Sequence, residues 1–338
     1  MIRIKDIADR VGVSTATVSN VIHGKQQRVS PEVRKKIEEA LDEMGYVPNM
    51  SAMMLAQNDS RMIGVVIPRK EAVRISLDDP YYSALVGFLD LEIRKQKHYM
   101  YLILQQDEDS ILKQASAWNL EGLIVCNMEE KPLLRLHERY RGYMVSLDAY
   151  LDRQTDFINI MTDDYDGGYQ MGKYLYAKGH RRIAMVADND YGVDHHRWLG
   201  LRAALAECGV QLEEKDHLCF YSAESTRSLE FERLYPRFLQ YTALFVASDL
   251  FALEVSSFLQ GKGIRVPEQI SITGFDDLLY ARLARPMLTT MHQNIEKKAE
   301  MAVQALLQIK EKKAVSDQWV LAVSLVERES VRQLDRNP

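Results

Sequence analysis

Cysteine is scarce in this chain, with three in 338 residues at Cys126, Cys208 and Cys219 and no CxxC pair. An odd number at wide spacing builds neither a disulfide framework nor a zinc site of paired thiolates. Buried free thiols are the expectation. No apolar run approaches the roughly 18 residues of a bilayer-crossing helix. Early charges at Arg3, Lys5 and Asp6 stand where a signal peptide would be apolar, so a cytoplasmic protein without a membrane partner is expected. Motifs for nucleotide and hydrolase chemistry are also missing: no GxGxxG follows a first strand, and neither GxxxxGKS/T nor GxSxG occurs. No Ser/His/Asp or Cys/His set can be picked out, so no enzyme, no catalytic residue and no cofactor is expected. His195-His196 lacks a third ligand at helical spacing, which favours surface groups over a metal site.

The content that is there is unevenly distributed. Hydrophobic residues make up 46% and charged residues 27% of the chain, enough for two or three units of about 100 to 150 residues. Net charge is −5, yet residues 1–37 hold eight Lys/Arg against three Asp/Glu. A basic head on an acidic body is the electrostatic footprint of a small DNA-binding unit attached to a part that avoids DNA.

In the head, Ile4, Ile7, Ala8 and Val11 recur at helical spacing, and Gly12 stops that helix. Ser14 is an N-cap, and Val18, Val21 and Ile22 carry a second helix over about 15–23. The turn Gly12-Val13-Ser14 is short enough to force the steep crossing of a helix-turn-helix. Ser30 and Pro31 open a third helix whose apolar face is Val33, Ile37, Ala40, Leu41 and Met44, closed by Gly45. With Val18 and Val21 buried, the second helix turns Thr15, Ala16, Ser19 and Asn20 outward, small and polar groups suited to base edges in a major groove. Ser14, Ser19 and the basic residues nearby suit phosphates, and Thr17 and Arg28 complete the candidate DNA-binding set.

Beyond 62 the chain alternates apolar runs with amphipathic stretches: "IGVVIP", "YMYLIL", "GLIVC", "YMVSLD", "FINIMTD", "RIAMVAD", "ALFVASD" and "ISITGFDD". Such runs predict buried parallel strands of an α/β body, whose ligands bind outside the carboxyl ends of the strands.

"IADRVGVSTATVSNVI" followed by Tyr46, Pro48, Asn49, Ala52 and Leu55 resembles the DNA-binding head and hinge of the lactose repressor and galactose repressor (LacI/GalR) family of bacterial transcriptional regulators. The likeness continues through "DPYYSALVGFLD", "EGLIV", "VSLD", "DDYDGGYQMGKYLYAKGHRRIAMV", "RWLGLRAALAECGV", "ALFVASDLFALEV", "GIRVPEQISITGFDD", "PMLTTMHQ" and "LVERESV". It implies an all-α helix-turn-helix head at 1–46 and a hinge helix and linker at 47–60. A two-lobed α/β body like type I periplasmic binding proteins follows at 61–332, with a tail at 333–338. The lobes would be about 61–160 plus 290–320 and about 161–289 plus 321–332.

By the same resemblance Thr15, Ala16 and Asn20 read bases, Asn49 belongs to the hinge, and Leu55 wedges into a minor-groove step, where unstacking is offset by the contacts that bending permits. Tyr81 and Tyr82 would flank an effector, Asp148 would end a strand beside it, Arg197 and Asp276 would hydrogen-bond it, Ser248 would stand where relatives often have asparagine, and Gln293 would lie near a lobe crossing. Core packing for the tyrosines and a structural ion pair for Arg197 and Asp276 are the alternatives. Aromatic faces with carboxylate and guanidinium groups suit a polyol. Arg69, Lys70 and Arg74 near the cleft mouth would suit a sugar phosphate, or form a solvated loop.

The implied function is an effector-responsive repressor of carbohydrate-utilisation genes, a homodimer on a palindromic operator, with a small-molecule effector, a sugar or sugar phosphate. A regulator of the same fold controlled by a protein corepressor is the alternative.

Overall fold

In a computed structural model, residues 2–22, 29–46, 60–67, 76–105, 107–152, 155–220, 224–311 and 318–335 are described. The chain divides into two units, Met1–Ser60 and Arg61–Pro338. Arg28, Asn49, Leu55, the hinge segment 47–59 and the Arg69 to Arg74 stretch lie outside the described residues.

The first unit is helical. Helices α1 (Ile4–Val11), α2 (Thr15–Ile22) and α3 (Pro31–Met44) close around Ile7, Ala8, Val18, Val21, Ile37 and Ala40. Gly12 ends α1 at φ 74°, a left-handed conformation that a side chain would oppose, and its N–H donates to Ala8 O at 2.9 Å. Ser14 Oγ accepts from the Thr17 N–H at 3.1 Å and caps α2.

The second unit holds two six-stranded sheets. In the first, β1 (Met62–Ile67), β2 (Tyr99–Leu104), β3 (Gly122–Cys126), β4 (Tyr143–Leu147), β5 (Ile158–Thr162) and β11 (Gln318–Leu321) lie all parallel in the order β11-β5-β4-β3-β1-β2. The second contains β6 (Ile183–Ala187), β7 (His217–Cys219), β8 (Ala243–Val246), β9 (Ser271–Asp276), β10 (Thr289–His292) and β12 (Ser324–Val326) in the order β12-β10-β9-β8-β6-β7, with only β12 antiparallel. Each sheet and its helices form a lobe.

Both faces of both sheets are covered, which is why the central strands are buried at nearly every residue and mostly apolar rather than alternating. On the first sheet, α4 (Pro80–Lys95) and α12 (Ile295–Lys310) cover the face carrying Ile63, Val65 and Ile124, while α5 (Glu108–Ala117) and α6 (Glu130–Arg139) cover the face carrying Val66, Leu123 and Val125. The second sheet packs α7 (Asp164–Ala177) and α8 (Gly192–Glu207) on one face, and α9 (Glu224–Phe238), α10 (Asp249–Gly261) and the short α11 (Leu279–Leu283) on the other.

Several boundaries differ from the sequence expectation. Residues 290–292, expected in the first lobe, belong to β10 and pair in parallel with β9, so the chain crosses after Thr162 and after His292 rather than at 160 and 289. The tail expected from 333 begins docked: the Leu334 N–H donates to Lys178 O at 2.8 Å.

His180, fully buried just before β6, has Nδ1 3.0 Å from Thr242 Oγ1. Burial lowers its pKa from 6.5 to about 4, because the charged ring would lose its hydration. The folded pKa is thus depressed below the unfolded value. Stability from the neutral ring is complete above pH 6.5 and is lost as pH falls toward 4, by at most about 3 kcal/mol. Urea midpoints of wild type and His180→Gln between pH 7 and 4 test this. The difference between them is expected to shrink as pH falls, and parallel profiles would refute it.

Candidate functional site

On α2, Ser14, Thr15 and Ala16 are exposed, and Thr17, Ser19 and Asn20 are half-buried. The Ser14 and Thr17 hydroxyls lie 2.8 Å apart and engage each other, so the free surface of the helix is carried by Thr15, Ala16, Ser19 and Asn20.

In the second unit, a cleft of about 380 Å³ opens at the carboxyl ends of the strands of both sheets. Tyr81, Tyr82, Asp148, Arg197, Ser248, Asp276 and Gln293 all line it. Three strand-end residues reach it by leaving the strand at positive φ, Asn127 at 44°, Asp148 at 53° and Asp276 at 123°. Asn and Asp tolerate the left-handed region better than other side chains. The 123° of Asp276 lies beyond it and stores strain.

A continuous hydrogen-bonded chain runs across the floor from one lobe to the other. Asp148, at the end of β4, accepts from Lys298 Nζ at 2.8 and 2.6 Å, from Tyr81 Oη at 2.9 Å and from the Thr162 N–H at 3.1 Å. Lys298, on α12 and 1% exposed, also donates to Gln293 Oε1 at 3.2 Å, an atom that accepts from Thr162 Oγ1 at 2.9 Å. Gln293 Nε2 then donates to Asp276 Oδ1 at 2.6 Å. Burial first, and the neighbouring carboxyl of Asp249 second, push the Asp276 pKa well up. Asp249 sits behind this floor and accepts from Thr290 Oγ1 at 2.6 Å and from the Leu278 N–H at 2.8 Å.

The wall of the second lobe is organised around Arg197. Its Nε lies 2.8 Å from Asp164 Oδ1, Nη2 lies 2.7 Å from the same oxygen, and Nη1 donates to Ala247 O at 2.5 Å. The guanidinium rests 3.5 Å above the Phe275 ring. Arg197 is therefore held by Asp164, with the carboxyl of Asp276 near enough to act on its charge. Asp164 also accepts from Tyr150 Oη at 2.6 Å, and the Tyr150 ring stacks on His196 at 3.7 Å. Ser248 Oγ accepts from the Phe251 N–H at 3.3 Å, so it caps α10 as well as lining the cleft.

Tyr82 serves two ends: its ring is 7% exposed within the first-lobe core, while its Oη accepts from Asn127 Nδ2 at 3.1 Å. Cys126, buried beside it, is a free thiol whose ionisation burial suppresses.

Sequence reasoning missed Lys298, Asn127, Asp188, Asn189, Tyr191 and Phe251. For Lys298 a signal existed: it falls on the stripe Ile295, Lys298, Ala299 and Ala302 that α12 buries. Asn127 and Asp188 directly follow the runs "GLIVC" and "RIAMVA", at the strand ends where a ligand site is sought.

Among known proteins, residues 3–49 match the family described as bacterial regulatory proteins, lacI family, and residues 173–331 match a periplasmic binding protein-like domain. The HTH-type transcriptional repressor PurR of Edwardsiella ictaluri is 30% identical over 98% of this chain and 97% of its own length. The PurR repressor of Erwinia tasmaniensis is 29% identical at the same coverage. Among solved structures, the lac repressor dimer bound to operator and the anti-inducer ONPF superposes with a TM-score of 0.82 at 24% identity, covering 98% of this chain and 99% of that one. The CelR–cellobiose complex does so with a TM-score of 0.70 at 24% identity, covering 98% and 100%. No helix among the described residues is long and apolar enough to cross a membrane. The head, the two-lobed body and the identity over nearly the whole length agree: the chain belongs to the lacI family of bacterial regulatory proteins.

Proposed function

We propose that this regulator represses transcription as a homodimer on a roughly palindromic operator, and that a small carbohydrate held in the cleft sets its affinity for DNA. The observation that carries the reading is the hydrogen-bonded chain Tyr81–Asp148–Lys298–Gln293–Asp276, which joins both lobes beneath a cleft of about 380 Å³. A ligand touching both lobes bears on that chain, and its binding energy biases how the lobes close. Tyr81 and Tyr82 offer faces to apolar C–H surface, and Asp148, Asp276, Gln293 and Ser248 offer fixed acceptors and donors for hydroxyls.

Thr15, Ala16 and Asn20 read base edges, Ser19 and Arg28 hold phosphates, and Ser14 and Thr17 set the start of the helix that presents them. Asn49 and Leu55 act in the hinge. One small head alone buries too little surface for operator specificity, and two-fold symmetry supplies the second half-site. A formed cleft of ligand size favours a small molecule over a protein corepressor.

The test is a DNA duplex selected from a random pool by the purified protein, followed by fluorescence anisotropy with and without a panel of sugars and nucleobases. At least one sugar is expected to change DNA affinity, by a coupling of roughly 1–3 kcal/mol. Asp276→Ala should retain DNA binding and lose the response. A response confined to nucleobases would reject the carbohydrate, and a retained response in the variant would reject the site.

A further inference from the structure

The lining of the cleft is unbalanced in charge. Among the described residues, the first lobe contributes the carboxylates of Asp79, Asp107, Glu108, Glu129 and Asp148. The second contributes those of Asp188 and Asp194 and the carboxyl of Asp276, whose charged form burial disfavours, against the guanidinium groups of Arg135 and Arg197 alone. Both guanidinium groups face carboxylates of the protein itself, Arg135 with its Nε 2.7 Å from Glu108 Oε1 and Arg197 against Asp164. The positive lysine beneath the floor, Lys298, is likewise held by Asp148.

A second observation points the same way. Helix N-termini at strand ends are ready-made anion sites, because their free N–H groups and dipoles favour negative charge. Here three are taken by side chains of the protein itself, and a carboxylate stands at each of the other two. Asp79 caps α4 by accepting from the Tyr81 N–H at 2.9 Å, and Asp107 caps α5 by accepting from the Ser110 N–H at 2.8 Å. Ser248 holds the Phe251 N–H of α10; α6 and α8 have no side-chain cap, but Glu129 stands at the N-cap of the first and Asp194 in the first turn of the second. A phosphate entering this cleft would meet carboxylates where it needs donors. A protonated amine would meet acceptors from both lobes, with the rings of Tyr81, Tyr82, Tyr191 and Phe251 around it.

We propose that the effector is a polyol bearing a protonated amine, of the amino-sugar class, and that the cleft rejects phosphorylated sugars. This rests on the carbohydrate reading above and narrows it.

The experiment is calorimetric titration of the full chain at pH 6.5 with glucose, galactose and mannose, each as the neutral sugar, the 2-amino sugar, the N-acetylated amino sugar and the 6-phosphate. One amino sugar is expected to bind at least tenfold more tightly than its neutral and N-acetylated forms, with the 6-phosphate not binding. Glu129→Gln, at the rim, should weaken the amino sugar severalfold and by a larger factor than a neutral sugar. Equal or tighter binding of a neutral or N-acetylated form overturns the proposal while the carbohydrate reading stands. Binding of a 6-phosphate overturns it too. Silence of all twelve compounds overturns both.

Discussion

Lys298→Met is expected to destabilise the second unit by about 3–5 kcal/mol, because removing one partner of a buried ion pair leaves the other as an uncompensated charge. Among the described residues, Asp148 would keep the Tyr81 hydroxyl and the Thr162 N–H as donors in a site where the lysine now contributes two contacts under 3 Å. For a unit of this size the midpoint should fall by roughly 10 °C. Removing both charges together, in Lys298→Met with Asp148→Leu, should recover much of the loss, since a buried pair replaced by apolar groups is often near neutral. Differential scanning calorimetry of the three proteins decides it. A single variant as stable as wild type would mean that water reaches Asp148 and that the floor of the cleft is not the dry network described.

Gly200→Ala is the second. In an exposed helix interior, alanine for glycine stabilises by roughly 1 kcal/mol. At Gly200 the added Cβ would stand 1.9 Å from the carbonyl oxygen of Tyr165, and at Gly168, on the facing helix, 2.0 Å from that of Arg197. Neither neighbour is the end of a flexible side chain, so α7 and α8 would have to separate, and overpacking of a few kcal/mol wins over propensity. Gly87, on the exposed side of α4 with open space where a Cβ would go, is the internal control, and Gly87→Ala should be neutral to stabilising. Equal changes in urea midpoint at the two positions would refute the steric argument. Because Arg197 rides on α8 and its own carbonyl abuts Gly168, Gly200→Ala should also displace the guanidinium and weaken effector binding.

Much of this architecture is legible in the residues. All eight strands expected from apolar runs form, because strands covered on both faces are predominantly apolar. The strands His217–Cys219, Thr289–His292, Gln318–Leu321 and Ser324–Val326 carry no such signal, being three or four residues long, and three of them are sheet edges. Edge strands are held by one neighbour and need no continuous apolar run. Strand-end placement brings Asp148, Ser248, Asp276 and Gln293 to one cleft. What periodicity cannot convey is pairing at a distance: Asp148 meets Lys298 across 150 residues, and Arg197 meets Asp164 from a separate helix. Ser248 shows a further limit, since one hydroxyl both caps a helix and lines the cleft.

The late return of the chain to its first sheet has a consequence for synthesis. Strand β11 and helix α12, which covers β3, β4 and β5 and brings Lys298 to Asp148, come from residues 295–321, after every strand of the second sheet except β12. On a ribosome, the lobe encoded first therefore stays unfinished until all of the second sheet except β12 has been made. While β6 to β10 are being made, the apolar face bearing Ile124, Val145, Leu147 and Ile160 has no α12 to cover it. Pauses in that interval expose the nascent first lobe to chaperones and proteases, and messages truncated there yield an uncovered sheet rather than a half-sized binding lobe.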